Sequence, residues 1–314
     1  MIDKNAYIEK ALNRIKESIY CIDDKDGLIE EKGKPLFREV DGNLFFSSGT
    51  TKSIRSAMTA KLRDDDVIVG SWPKSGSTWM RHIVLQLVND KYFNGITDQY
   101  LESPMIEFMG SDIISLLPSQ RILKTHFDVK CCPMSNIAKY IIIVRNPKDV
   151  LVSFFHHMKL IPSYQFEDGD FNIFFEIFIT GKIEFGSYFD YLLGWHSKLN
   201  NPNVLVVKYE DLYNDRKVYI TKVANFIGGK ALDRIKDDDS INKIINESTV
   251  SSMKKDIERF TGRGSNNNWF IRKGGVGGWK DYLTDEQSKK IDVLFYEKLK
   301  GTIFENMWIE EMKR

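Results

Sequence analysis

Val67-Ile68-Val69-Gly70-Ser71-Trp72-Pro73-Lys74-Ser75-Gly76-Ser77-Thr78 is the stretch whose reading decides the fold. Its first half is a short apolar, β-branched run behind Asp64-Asp65-Asp66, the pattern of a strand buried on both faces. Pro73 to Ser77 breaks the run. From Trp79 to Val88 the apolar residues fall at helical spacing, at Trp79, Ile83, Val84, Leu87 and Val88. A strand, a polar turn and a helix start is an anion-binding arrangement, because first-turn N–H groups lack intrahelical acceptors and the helix dipole favours negative charge. Gly76 allows close backbone approach, Ser75, Ser77 and Thr78 offer hydroxyls, and Lys74 a mobile charge. The lysine precedes the glycine, so the nucleotide-triphosphatase ending Gly-Lys-Ser/Thr is not met. The alternative is a strand–turn–helix with merely polar turn residues.

Outward from this stretch the alternation repeats. Arg121 to Lys124 predicts a short strand, and Lys139-Tyr140-Ile141-Ile142-Ile143-Val144 a central one. Pro147 suits a helix start, with Asp149 to Met158 continuing it. Val204 to Val207 predicts another buried strand, and helices are expected near Tyr213–Ile227 and Thr284–Lys300. Strands alternating with helices predict an α/β fold, a parallel sheet flanked by helices on both faces. A first helix is expected within residues 1–20, from Ile8, Ala11, Leu12 and Ile15, and turns at Asp23 to Gly27 and at Asp41-Gly42-Asn43. The length of 314 residues permits two domains, but candidate site residues run from Lys74 to Gly274, so one domain over residues 1–314 is expected.

The formal net charge of +1 gives no global field toward nucleic acid or an anionic membrane, so any anion must be held by local cations. Cys21, Cys131 and Cys132 form no disulfide framework and lack zinc-ligand spacing, which points to thiols in a reducing compartment and to no metal. The polar start has no signal-peptide core, and no run of about 18 apolar residues occurs, so a cytoplasmic protein is expected.

The motifs carry a resemblance. Trp72 to Trp79 resembles the 5′-phosphosulfate loop of the cytosolic sulfotransferases. Arg145-Asn146-Pro147-Lys148-Asp149-Val150-Leu151-Val152-Ser153 looks like their 3′-phosphate segment, Arg272-Lys273-Gly274 like their late Arg-Lys-Gly segment, and Lys124-Thr125-His126 like the segment ending in their catalytic histidine. The motifs stand in family order. Gly278 departs from the aspartate that many relatives carry before the tryptophan, which puts the local turn in question.

The resemblance implies a P-loop-like sulfotransferase fold that transfers a sulfuryl group from 3′-phosphoadenosine-5′-phosphosulfate (PAPS) to a hydroxyl or amine of a small acceptor. Lys74 and residues Ser75, Gly76, Ser77 and Thr78 would hold the 5′-phosphate and sulfuryl. Arg145, Ser153, Arg272, Lys273 and Gly274 would hold the 3′-phosphate, a planar guanidinium suiting phosphate. Trp79, Tyr209 and Ser248 would surround adenine, with Val250 where relatives often carry phenylalanine. His126 would be the general base and Lys124 would stabilise sulfuryl oxygens. The structural alternatives are an Arg145–Asp149 pair, a core Trp79, a solvated basic turn at Arg272 and Lys273, and a structural His126. His82, His156, His157 and His196 stand in no such motif and read as structural. Met105, Phe108, Met109, Tyr164, Phe166 and Phe171 would line an apolar acceptor pocket for a phenol or sterol. No metal is required by this chemistry.

Two other functions remain open at this point: an ATP-dependent phosphoryl transferase on a related fold, and a nucleotide-binding protein without turnover. Many family members dimerise through a segment reading Lys, three residues, Thr-Val, three residues, Glu. Here Asp285 replaces the valine and Lys289 the glutamate, placing like charges near a two-fold axis. A monomer is expected, or a dimer through another surface. The same stretch reads as a helix start, with Thr284 as N-cap and Gln287 at the capping-box position.

Overall fold

The computed structural model describes residues 7–13, 25–261 and 271–314. Cys21, Ile15 and the aspartates at 23 and 24 lie outside the described residues. The elements that matter for function are β1 (Leu28–Ile29), β2 (Phe37–Val40), β3 (Asn43–Phe46), α1 (Thr51–Met58), β4 (Val67–Gly70), α2 (Ser77–Val88), α3 (Ile106–Ile114), β5 (Ile122–Thr125), β6 (Lys139–Val144), α4 (Pro147–Leu160), α5 (Phe171–Ile179), α6 (Tyr188–His196), β7 (Val204–Lys208), α7 (Arg216–Ile227) and α8 (Asp285–Leu299). Helical residues 7–13 precede them.

Four strands form a parallel sheet in the order β5-β4-β6-β7. Alternate residues enter different cores, as the period of two demands. Ile68, Leu123, Tyr140, Ile142 and Val144 join one apolar cluster. Val67, Val69, Ile122, Ile141 and Ile143 join the other. Both faces of β4, β5 and β6 are therefore buried, and continuous Val/Ile runs replace the apolar–polar alternation of a half-exposed sheet. In β7, expected to be buried from Val204 to Val207, only Val207 is buried and Val204, Leu205 and Val206 are half-buried, because β7 is an edge strand with a partner on one side only. Lys139–Val144 has partners on both sides, the central position its β-branched run predicts.

A second, antiparallel sheet of β1, β2 and β3 was not foreseen. Its hairpin turns at Asp41 and Gly42, at the turn that the sequence does signal, and pairs Phe37 with Phe46 and Val40 with Asn43. Phe37, Val40, Phe45 and Phe46 bury in the first core cluster.

Helix boundaries follow local chemistry. Asn146 caps α4 by accepting the Lys148 N–H, and Pro147 occupies the first turn, where its missing donor costs nothing. The Tyr213–Ile227 helix expected from the sequence divides at Asp215, whose side chain caps α7 by accepting from Val218. At α8 the Thr284 side chain accepts from the Gln287 N–H while Gln287 accepts from Thr284, the reciprocal box read from the sequence. Cys131 and Cys132 are free thiols, half-buried and buried. Among the described residues no helix is long and apolar enough to cross a membrane.

Candidate active site

Because the strands are parallel, their carboxyl ends share one edge, where open α/β sheets place ligands. That edge opens on a cavity of about 1700 Å³ lined by residues that follow each strand: Lys74 after β4, His126 after β5, Arg145 after β6 and Tyr209 after β7. Register aligns them, since Gly70 lies beside both Thr125 and Ile142.

The loop between β4 and α2 is held from below by Trp72, fully buried and edge-on to Phe154 and Phe178 at 5.1 and 5.5 Å. Lys74 and Gly76 turn the chain with φ of 65° and 114°. A Cβ on Gly76 would lie 2.8 Å from the Tyr209 ring and 2.9 Å from Ile143, so the loop has room for no side chain there. Gly76 caps α2 without a side-chain acceptor, which leaves the first-turn N–H groups facing outward for an anion. Gly76, Ser77 and Thr78 line the cavity. Ser75 does not: its N–H donates to the Trp72 carbonyl at 3.2 Å and its side chain is fully buried.

Lys74, Lys124, His126 and His157 also line the cavity. The His126 Nδ1 lies 2.5 Å from the Ser71 carbonyl. A carbonyl only accepts, so the neutral ring carries its proton on Nδ1 and its lone pair on Nε2. Burial first, then Lys124, hold the His126 imidazolium pKa well below 6.5. The backbone of His126 is fixed by Glu107, whose Oε1 accepts from the N–H groups of His126 and Phe127 and from the Thr125 hydroxyl at 2.7 Å. Burial raises the Glu107 pKa. Lys74 is pushed down to about 8 by burial and by Arg145 and Arg272. Lys124 falls to about 7, through burial and then Arg81, with Glu107 opposing.

Arg145 bridges two loops. Its guanidinium donates to the Lys74 carbonyl at 3.3 Å and the Gly275 carbonyl at 2.8 Å, and sits 4.3 Å over the Tyr209 ring. The sequence left open an Arg145–Asp149 pair; Asp149 instead accepts the N–H groups of Gly277 and Trp279 at 2.8 and 3.1 Å. This shapes the turn at Gly278, where the usual aspartate is missing. Ser153, Arg272, Lys273 and Gly274 line the same cavity. Lys273 is an exposed cation 3.8 Å from Asp281, while Gly274 packs on Val250 with φ of 53°.

Trp79 and Tyr209 meet edge-on at 5.2 Å, and Tyr213 stacks beside Tyr209. Ser248 and Val250 complete this region of the lining. The apolar wall comprises Phe46, Met105, Phe108, Ile161, Tyr164 and Phe185. Met109, Phe166 and Phe171, expected there, are absent from the lining: Met109 and Phe166 are core residues, and Phe171 packs edge-on against Phe155 at 5.0 Å.

Sequence reasoning missed Glu107, Glu184, Arg81, His156 and His157, all of which are at or beside the cavity. For the histidines a signal existed. Asp149, Ser153, His156, His157 and Leu160 recur at helical spacing on α4 and form its cavity face. His157, read as structural, has its Nδ1 3.3 Å from the Lys74 Nζ.

Buried polar groups are normally satisfied. Here the Trp79 Nε1, Arg145 Nε, His156 Nε2 and Ser248 Oγ are buried without a hydrogen-bond partner, and all four residues line the cavity. Such a wall fits a polar ligand. Cations and free amides beside a neutral imidazole suit the movement of an anionic group, and with the parallel sheet they define an α/β group-transfer enzyme.

The chain belongs to the sulfotransferase family: the sulfotransferase domain model matches residues 64–303. It is 35% identical over 264 residues to sulfotransferase 6B1 of Mus musculus, covering 81% of this chain and 82% of the relative. It is 32% identical over 263 residues to the amine sulfotransferase of Oryctolagus cuniculus, covering 79% and 85%. It is 30% identical over 294 residues to sulfotransferase 1C2 of Homo sapiens, covering 88% and 97%. Among solved structures, mouse sulfotransferase SULT7A1 complexed with PAP is similar at a TM-score of 0.70 and 26% identity, covering 84% of this chain and 95% of that one. Retinol dehydratase in a complex with retinol and PAP is similar at 0.68 and 25%, covering 79% and 85%. The protein is a sulfotransferase, and the phosphoryl-transfer and non-catalytic alternatives are not favoured.

Proposed function

We propose that the cavity binds PAPS and a small acceptor together, and that the residues read from the sequence serve the transfer. The observation that carries this reading is the set of buried, unpartnered polar atoms on the cavity wall, at Trp79, Arg145, His156 and Ser248. The PAP bound in SULT7A1 and retinol dehydratase supports it. Trp79, Tyr209 and Ser248 would hold adenine; Arg145, Ser153, Arg272, Lys273 and Gly274 the 3′-phosphate; Lys74, Gly76, Ser77 and Thr78 the 5′-phosphosulfate. Ser75 would act through loop shape.

The donor supplies an activated sulfuryl group and a phosphate leaving group. His126 takes the acceptor's proton at Nε2 as the new sulfur–oxygen or sulfur–nitrogen bond forms. Lys74 and the first-turn amides of α2 neutralise charge on the phosphate oxygen that keeps the electron pair of the broken bond. Lys124 balances charge on the sulfuryl oxygens. The apolar wall of Phe46, Met105, Phe108 and Phe185 suits a flat aromatic or sterol-like acceptor, as retinol in retinol dehydratase is apolar.

The test is titration of PAP against ATP, with turnover of labelled PAPS and a phenol panel by wild type and His126→Ala. PAP binds in preference to ATP, and the variant keeps PAP affinity while turnover falls at least ~10²-fold, the smallest usual loss for a general base. Turnover by the variant close to wild type would remove His126 from this role.

The reading includes one domain over residues 1–314 and a monomer in solution, or a dimer through a surface other than the segment from Lys280 to Lys289. Thr284 and Gln287 are engaged in a helix cap, and Asp285 pairs with Arg314 at 2.7 Å. Sedimentation at micromolar protein checks it; a dimer broken by changes in this segment would contradict it.

A further inference from the structure

The apolar wall of the cavity carries a carboxyl group that the transfer chemistry does not use. Glu184 is 3% exposed and lines the cavity. It sits between α5 and α6 in a segment anchored on the sheet of β1–β3, where the Phe185 N–H donates to the Leu44 carbonyl at 2.7 Å. Phe185 lies edge-on to the His126 ring at 5.4 Å, so Glu184 is held next in chain to a wall of the catalytic histidine.

Both Glu184 oxygens accept from one donor, the Tyr164 hydroxyl, at 2.9 Å each. A carboxylate offers about four acceptor sites, so this one is under-used. No ion pair or hydrogen bond joins it to Lys124 among the described residues; the two act on each other only through space, Glu184 opposing the fall in Lys124 basicity that burial and Arg81 cause. The other cavity acids are committed: Asp149 to the amides of Gly277 and Trp279, Asp98 to the Leu101 N–H, and Asp281 beside Lys273. An isolated buried carboxylate is costly, and burial pushes Glu184 up to about 8, with Tyr164 and then Lys124 pulling the other way. A cation in the cavity would remove that cost.

We propose that Glu184, oriented by Tyr164, selects acceptors that carry an ammonium group remote from the hydroxyl to be sulfated, that is, phenolic arylalkylamines. The ring occupies the wall of Phe46, Phe108 and Phe185, the hydroxyl faces His126, and the ammonium meets Glu184, which gives its proton to solvent and forms a charge-assisted hydrogen bond. This rests on the acceptor site of the proposed function.

The experiment uses a matched pair, 4-(2-aminoethyl)phenol and 4-ethylphenol, titrated calorimetrically into PAP-loaded protein, with KM for each measured in parallel. Wild type binds the amine at least about tenfold more tightly, the scale of one charge-assisted contact. Glu184→Gln keeps the side-chain size and an acceptor for Tyr164. It abolishes the preference while 4-ethylphenol affinity stays within about threefold, because only the charge is lost. Equal binding of the two phenols by wild type overturns the proposal, and so does a preference that survives in Glu184→Gln. An equal loss for both ligands makes the residue structural and also overturns it. If both phenols bind without turnover, the transfer reading fails while the selection is still read from binding.

Discussion

The Lys74 Nζ lies 3.3 Å from the His157 Nδ1, joining the phosphate loop to the cavity face of α4 across 83 residues of chain. Burial and then Lys74 itself hold the His157 imidazolium pKa well below 6.5, so the ring is neutral and accepts while the ammonium donates. The histidine therefore positions the cation that the proposed mechanism places beside the leaving oxygen.

His157→Ala removes that acceptor from Lys74. A hydrogen bond to a charged group contributes about 1.5–3 kcal/mol, so kcat falls by roughly tenfold or more. The KM for PAPS moves less, because in the proposed function Arg145, Arg272 and the first-turn amides of α2 would still hold the donor. Single-turnover kinetics beside PAP titration separates the two; equal losses in affinity and rate would make His157 a binding residue instead.

Arg145→Ala weakens PAP binding by roughly 1.5–3 kcal/mol and affects 5′-AMP much less, since that ligand lacks the 3′-phosphate. The guanidinium also ties the Lys74 and Gly275 carbonyls together. Some loss for 5′-AMP is therefore expected through the loops, smaller than the loss for PAP. Calorimetry with both ligands decides, and equal losses would confine Arg145 to holding the loops.

Donor-site affinity depends on pH with a definite sign. Burial and neighbouring cations lower Lys74 to about 8 and Lys124 to about 7, so each loses charge as pH rises through that value. An anion prefers the charged forms. PAP therefore binds best below about pH 7 and weakens by roughly tenfold or more by about pH 9, with proton uptake on binding in that range. His126, held well below 6.5, stays neutral throughout and adds no slope. Lys74→Met removes one of the two ionisations and flattens the curve. A PAP affinity constant across this range would show that neither lysine meets the ligand's charge.

Much of the parallel sheet was legible. Val67–Gly70 and Lys139–Val144 are runs that a sheet buried on both faces requires, and Pro73 to Ser77 can only interrupt them. The hairpin of β2 and β3 was half legible: its Asp41-Gly42 turn was read, but Phe37-Arg38-Glu39-Val40 alternates too briefly to declare a strand before its partner is known. Of the expected acceptor wall, Met105, Phe108 and Tyr164 line the cavity while Met109, Phe166 and Phe171 do not, since apolar residues at these spacings serve a core equally well.

What the sequence determined by itself was local: strand, loop and helix around Lys74, the cap at Thr284, and the motifs at Arg145 and Arg272. These depend on residues within about one or two turns of one another, where backbone preferences and capping act. Only the tertiary structure decided which groups are buried together. Glu107 fixes His126 from 19 residues away, and Glu184 meets Tyr164 across 20 residues and faces the cavity. His157 meets Lys74 only because α4 packs beside the phosphate loop. Charge state and hydrogen-bond partnership depend on solvent exclusion and distance in space, and neither quantity is written in the spacing of residues along the chain.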